Sequence, residues 1–180
     1  MKRIAKFSKV SFEEFYNGMI QGLWTHSPMP AENSSEYKYM KDVYNNIKLP
    51  ERKTVGSAGY DFHIPFDITL SPGETILIPT GIRCMMEPEW VLKLYPRSGL
   101  GFKYRLQLNN TVGIIDSDYF NSDNEGHIFI NITNDSKEGK TLCVKEGTGF
   151  AQGIFLEYGI TVDDDATAVR NGGMGSTTGK

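Results

Sequence analysis

The stretch Ile64-Pro-Phe-Asp-Ile-Thr-Leu-Ser-Pro-Gly-Glu-Thr-Ile-Leu-Ile-Pro79 decides the architecture. Two short apolar runs, Ile64 to Leu70 and Thr75 to Pro79, flank Pro72-Gly73, where proline fixes the first turn position and glycine accepts a positive φ. This reads as two strands joined by a tight turn. Further along, Trp90 to Tyr95, Gly126 to Thr133, Thr141 to Val144 and Gly153 to Val162 are again short, rich in β-branched residues and punctuated by glycine or proline. Short strands at this spacing specify an all-β sandwich or barrel.

Upstream the period changes. Ser11-Phe-Glu-Glu14 has the form of a capping box, and Phe12, Phe15, Tyr16, Met19 and Ile20 follow on one helical face. Asn33-Ser-Ser-Glu36 offers a second cap, with Tyr37, Met40, Val43, Tyr44 and Ile47 forming another stripe before Pro50. Residues 1–47 are therefore a helical N-terminal extension, either packed on the core or presenting its stripe to a protein partner. Downstream, Arg170-Asn-Gly-Gly-Met-Gly-Ser-Thr-Thr-Gly-Lys180 has almost no apolar area and by itself reads as a solvated tail.

The 180 residues suffice for one core, spanning 48–169, with 170–180 as an appended segment. A formal net charge of -3 without a basic block excludes duplex nucleic acid as a partner. No apolar run approaches the roughly 20 residues of a membrane span, and charge interrupts the first ten residues, so a soluble cytoplasmic protein is expected. Cys84 and Cys143 lie in apolar stretches and are expected as free, buried thiols. His26, His63 and His127 lack metal-ligand spacing.

Three segments carry groups suited to chemistry. Tyr95-Pro-Arg-Ser-Gly-Leu-Gly101 presents a guanidinium, a hydroxyl and a glycine backbone, which are tools for holding phosphate, although an ordinary turn has the same composition. Leu106-Gln-Leu-Asn-Asn-Thr-Val-Gly-Ile-Ile-Asp-Ser-Asp-Tyr119 reads as a β-hairpin whose turn near Asn110 offers backbone donors and acceptors to the edge of a base. Asp116, following Gly113, Ile114 and Ile115, is expected at the sheltered end of that hairpin, as a general base or as a cap on turn N–H groups. The third segment is the tail, whose glycines and hydroxyls can wrap an anion.

Taken together, Ser57-Ala-Gly-Tyr-Asp61, Pro96-Arg-Ser-Gly-Leu100, Gly113-Ile-Ile-Asp-Ser-Asp-Tyr119, Gly147-Thr-Gly-Phe-Ala-Gln152 and Gly172-Gly-Met-Gly-Ser-Thr177 resemble, in order and spacing, the five motifs of the trimeric dUTP pyrophosphatases. The resemblance covers roughly Lys48 to Lys180. It implies a jelly-roll β-barrel, a homotrimer with shared active sites, and hydrolysis of dUTP to dUMP and pyrophosphate. It further implies Asp116 as the catalytic residue activating water at the α-phosphorus, and Asn110, Gly113, Ile114 and Ile115 as the uracil-reading backbone. Tyr119 would pack against deoxyribose, and Arg97, Ser98, Gly99 and Gln152 would contact the phosphates. Arg170, Met174, Gly175 and Ser176 would close over the substrate. Mg2+ would be held through triphosphate oxygens and water, with no dedicated protein cage.

The sequence departs from the family pattern at four places. Thr148 and Gly149 stand where an acidic residue and an arginine are usual, and Met174 replaces phenylalanine. The spacing from Arg170 to the glycines is one residue short, with an extra threonine after Ser176. Phe120 to Glu125 lengthen the stretch after Tyr119, expected as a surface loop with Asp123 and Glu125 solvated. A dCTP deaminase shares the fold but uses a glutamate where this sequence has Asp116. A regulatory protein-binding module is the other alternative.

Overall fold

Alternation of inward and outward side chains builds this molecule from very short strands. In the computed structural model, which describes residues 2–23 and 30–172, the chain forms β1 (Ala5–Lys9), α1 (Phe12–Leu23), α2 (Ser35–Asn46), β2 (Tyr60–His63), β3 (Ile68–Leu70), β4 (Thr75–Pro79), β5 (Ile82–Met86), β6 (Trp90–Pro96), α3 (Ser98–Tyr104), β7 (Leu106–Leu108), β8 (Gly113–Ile115), a 3-10 turn (Ser117–Asn121), β9 (Phe129–Asn134), β10 (Leu142–Val144) and β11 (Gly149–Glu157). The strands pair antiparallel in the orders β2-β11-β6-β8, β4-β9-β7, β1-β5 and β10-β3. This is the all-β, jelly-roll class, with the expected N-terminal helices.

Inward positions of these sheets share one core. Phe62, Ile78, Leu92, Leu94, Ile130, Ile132, Leu142 and Phe150 are all fully buried within it. The helices face the same core: Phe15, Met19, Met40 and Val43 are buried. Their stripes pack on the core, with Phe12, Tyr16, Ile20 and Tyr44 partly buried against it. Both caps form, Ser11 Oγ accepting from the Glu14 N–H at 3.1 Å and Ser34 Oγ from the Tyr37 N–H at 3.1 Å. Gly18 and Gly22 let α1 lie close on the sheet, because a Cβ at Gly18 would stand 2.7 Å from the His127 ring and one at Gly22 2.8 Å from the Leu77 carbonyl.

Several elements differ from the sequence expectation. The expected strand Ile64 to Leu70 shrinks to β3 (Ile68–Leu70), preceded by the unexpected β2 (Tyr60–His63), since Pro65 has no N–H to donate and Ile64 instead bonds Thr148 and Gly147. The last strand runs Gly149–Glu157 rather than Gly153 to Val162, with an irregular register between Gly149 and Ala151. Strands β1 and β5 were not expected; among the described residues they form a two-stranded sheet with each other, Phe7 opposite Cys84. Residues 98–104, expected as a turn, form the short helix α3. The segment Leu106–Ile115 is not a hairpin: β7 pairs with β9 and β8 with β6, so its arms belong to different sheets.

Cys84 is buried as expected, but Cys143 is exposed. Leu142 and Val144 point inward on β10, and strand alternation turns Cys143 outward. Burial pushes the Cys84 thiol up to about 12, so that sulfur is both inaccessible and held as the unreactive thiol. A thiol-reactive chromophore is expected to titrate one cysteine rapidly in native protein and the second only after denaturation. Two equally fast thiols would contradict the burial of Cys84.

Candidate active site

Asp116 ends β8 and opens the 3-10 turn, yet its side chain caps no turn N–H. Its carboxylate instead accepts from Arg170 Nη2 at 2.6 Å, while Arg170 Nε donates to Asp118 Oδ1 at 2.9 Å. The pair is not sheltered as the sequence suggested: the Asp116 side chain is 49% exposed, and the Arg170 side chain that bridges the two carboxylates is 15% exposed. Neutralising two adjacent carboxylates with one planar, multi-donor group suits arginine geometry. The same guanidinium lies 5.7 Å from the centroid of the buried Tyr119 ring.

The arch between β7 and β8 opens one cleft. Its turn is held by Thr111 N–H to Leu108 O at 2.8 Å and Val112 N–H to Asn110 O at 2.7 Å, with Thr111 at φ 67°. Because the two arms join different sheets, the turn stands over a gap of about 350 Å³. Asn109, Asn110 and Gly113 line it beside Leu77, Leu94, Leu108, Phe129, Ile130 and Asn131. Gly113 keeps this approach close, since a Cβ would press on Leu94 of β6 at 3.0 Å. Of its neighbours, Ile115 is buried in the core and Ile114 is half exposed.

A second cleft, of about 400 Å³, is polar. Arg97, Ser98 and Gln152 line it with Lys53, Ser57, Ala58, Gly59, Asp61 and Ile154. Arg97 Nε stands 3.4 Å from Asp61 Oδ1, and Arg97 Nη1 donates to the Gly149 carbonyl at 3.5 Å. A Cβ on residue 149 would meet Arg97 Nη1 at 2.8 Å, so the glycine makes the bed on which this guanidinium lies. Gln152 Nε2 donates to the Pro96 carbonyl at 3.2 Å. Gly99 faces open space, where an added Cβ would meet nothing within 4 Å.

The two clefts share no lining residue on one chain. Expected residues are thus gathered into two groups, Asn110 with Gly113 and Arg97 with Ser98 and Gln152, and Asp116 and Tyr119 sit with Arg170. Met174, Gly175, Ser176 and the closing segment they belong to lie outside the described residues, as does His26. Sequence reasoning missed Lys53, Asn109, Asn131 and Phe129 as cleft residues. Only Lys53 had a signal, the cationic pair Arg52-Lys53 ahead of the serine and glycine of Ser57-Ala-Gly59.

The dUTPase family model matches residues 45–178. The chain belongs to the dUTPase family. A deoxyuridine 5'-triphosphate nucleotidohydrolase of Lactococcus lactis is 40% identical over 134 residues, which cover 73% of this chain and 88% of that protein. One from Tolumonas auensis is 37% identical over 143 residues, covering 75% of this chain and 90% of its own. The crystal structure of the dUTPase from Streptococcus mutans, 37% identical, superposes with a TM-score of 0.58 over 67% of this chain and 91% of that one. A mutant dUTPase from phage phi11 of Staphylococcus aureus shares the fold at 24% identity and a TM-score of 0.56, covering 68% and 92% of the two chains, and is described with a structural Mg(II) ion.

Within the dUTPase pattern, the arginine missing at Gly149 leaves a specific trace. An arginine there would compete with Arg97 for the space above β11, whereas glycine lets Arg97 fold down and meet Asp61. In the segment Phe120 to Glu125, Asp123 is exposed as expected, but Glu125 is tied down rather than simply solvated. Glu125 accepts from Ser11 N–H at 2.8 Å and Ser11 Oγ–H at 2.6 Å. The Arg83 guanidinium lies 3.7 Å over the Phe120 ring and donates to the Phe120 carbonyl at 2.6 Å.

Proposed function

We propose that this chain hydrolyses dUTP to dUMP and pyrophosphate, with Asp116 orienting and deprotonating the water that attacks the α-phosphorus. The observation that carries the reading is the separation of an apolar, amide-edged cleft at Asn110 and Gly113 from a cationic cleft at Arg97, Ser98 and Gln152. The first suits a flat base: the fixed N–H and C=O groups of the arch favour the donor and acceptor pattern of uracil over the reversed pattern of cytosine. The second suits a polyphosphate, which Arg97 can engage by paired hydrogen bonds. Ile114 and Ile115 carry the backbone from the arch to Asp116, and Tyr119 supplies an aromatic wall for deoxyribose, leaving no room for a 2′-hydroxyl.

A nucleotide reaching from base to γ-phosphate needs both kinds of cleft, and one chain keeps them apart. The resemblance to the trimeric dUTPases supports a homotrimer as the active unit, in which different subunits supply the base cleft, the phosphate cleft and the C-terminal segment with Met174, Gly175 and Ser176. Substrate binding draws Arg170 from Asp116 and Asp118 toward the phosphates. Magnesium fits as an ion carried on the triphosphate and its waters, because it gives up its hydration shell reluctantly and pairs readily with phosphate oxygens. When bound it supplies charge neutralisation at the phosphates. The protein's own part is positioning and a base, which suffice for phosphoryl substitution. The cytoplasm is where this reading places the enzyme.

Pyrophosphate release measured with dUTP, dCTP, dTTP and UTP in the presence of magnesium tests the proposal. Turnover of dUTP is expected to exceed that of each competitor by at least about 100-fold, the scale on which unpaired polar groups discriminate. Ammonia release from dCTP, or equal turnover of all four, would overturn it.

A further inference from the structure

Two parts of this chain lie outside the usual family pattern: the helices ahead of residue 45 and the lengthened stretch Phe120 to Glu125. They are bonded to each other. Glu125 takes both donors of Ser11 at the start of α1, supplying from a distance the carboxylate that a local capping box would have taken from Glu14. Glu14 is thereby free to reach His127, whose Nδ1 stands 3.2 Å from Glu14 Oε1. His127 is fully buried, and its Nε2 accepts the Gly81 N–H at 2.9 Å. That acceptor role leaves the proton on Nδ1, so the imidazole is neutral and donates to Glu14. Burial holds His127 below its ordinary pKa against the opposing pull of Glu14 and Glu125.

The backbone of the same histidine holds the candidate site. The His127 carbonyl accepts the Tyr119 hydroxyl at 2.7 Å, and Asn124 Nδ2 donates to the Tyr119 oxygen at 2.9 Å. Tyr119 in turn sits one 3-10 turn from Asp116, its N–H bonded to the Asp116 carbonyl at 3.2 Å. The left-handed pair Glu125 (φ 55°) and Gly126 (φ 70°) bends the chain back so that Glu125 and His127 both face α1. At Gly126 any side chain would collide with the Tyr119 carbonyl at 2.7 Å, so this bend has little freedom.

We propose that α1 and the stretch Phe120 to His127 form one clamp, in which Glu14 and Glu125 are positioning residues for Tyr119. The inference rests on the reading of Tyr119 as the wall against the sugar. Loosening the clamp lets the ring tilt, which weakens ground-state binding of the deoxyribose and opens space for a 2′-hydroxyl while leaving the reacting groups in place. A structural prop would lower stability alone; a positioning role changes selectivity.

The test is steady-state kinetics of full-length Glu14→Ala and Glu14→Gln on dUTP and UTP, with thermal unfolding recorded for each. Glu14→Ala is expected to raise KM for dUTP about 3- to 10-fold with kcat within about twofold, and to lower the dUTP-over-UTP preference by a similar factor. Glu14→Gln retains an acceptor for the Nδ1 proton and is expected to restore both parameters. Tyr119→Phe, which removes the hydroxyl bond to His127, should give the same selectivity shift, and combining it with Glu14→Ala should add little. A folded Glu14→Ala with unchanged KM and unchanged rejection of UTP overturns the clamp. Where Glu14→Ala yields no folded protein, Glu125→Ala carries the same expectation and the same failure criterion. Wild-type protein inactive on dUTP would instead defeat the parent reading, and the two failures are separable in one assay.

Discussion

Asp116→Asn should keep the assembled protein and its affinity for a non-hydrolysable dUTP analogue while lowering turnover by about 100- to 10,000-fold, the usual contribution of a positioned general base. That corresponds to roughly 3–5 kcal/mol of barrier. The substitution is nearly isosteric and the side chain is half exposed, so packing is little affected. It removes one of two carboxylates bridged by Arg170, leaving Asp118 at 2.9 Å to retain the guanidinium. Asp118→Asn removes the same formal charge from the same ion pair and is the internal control. A base must be Asp116 alone, so the control is expected to keep most of its activity. Comparable losses in the two variants would mean that charge near Arg170 matters rather than proton transfer at Asp116. Near-normal turnover in Asp116→Asn would remove Asp116 from the mechanism. Single-turnover measurements with analogue binding followed by calorimetry separate these outcomes.

What could be read from sequence was governed by whether the determining contact is local. The turn at Pro72-Gly73, the serine caps of α1 and α2 and the helical stripes all depend on neighbours a few residues away, and each took the expected form. The arch at Leu106–Ile115 was misjudged because two apolar arms around a polar turn have the same pattern whether they pair with each other or with separate sheets. Only the remote partners β9 and β6 decide. Strand β1 is Ala5-Lys-Phe-Ser-Lys9, short and half charged, and gains its conformation from β5, 77 residues further on by the pairing of Phe7 with Cys84. Glu125 looked solvated because nothing near it in sequence needs a carboxylate; its partner Ser11 lies 114 residues away. At the candidate site, residue types and order were legible through the family resemblance. The arrangement was not, since the distribution of those residues over two clefts is a property of the sheets.

Removal of residues 1–46 is expected to abolish soluble, cooperatively folding protein, although the family match begins only at residue 45. The lost segment contributes β1, which supplies the only partner of β5 among the described residues. It also contributes Val10, Phe15, Met19, Met40 and Val43, all within a few per cent of complete burial. Side chains of this size stabilise by about 1.5–3 kcal/mol each when buried, so together they approach the roughly 5–15 kcal/mol by which a domain is stable at all. Their loss also uncovers the faces they cover, including Ile78 and the edge of β5, where an unpaired strand and fresh apolar surface favour aggregation. The graded version is Phe15→Ala, expected to cost about 3–5 kcal/mol by cavity formation and to lower the unfolding temperature by roughly 10 °C in a chain of this length. Soluble yield and circular dichroism decide the truncation, and calorimetric unfolding decides the point variant. A truncated chain that stays soluble, unfolds near the wild-type temperature and turns over dUTP would mean that the helices merely rest on a self-sufficient barrel. In that case the bonds of Ser11 and Glu14 to Glu125 and His127 would be consequences of the fold rather than supports of it. Because the truncation removes both helix and strand, Phe15→Ala separates their contributions: it leaves the β1–β5 ladder intact and empties only the contact of α1 with the core.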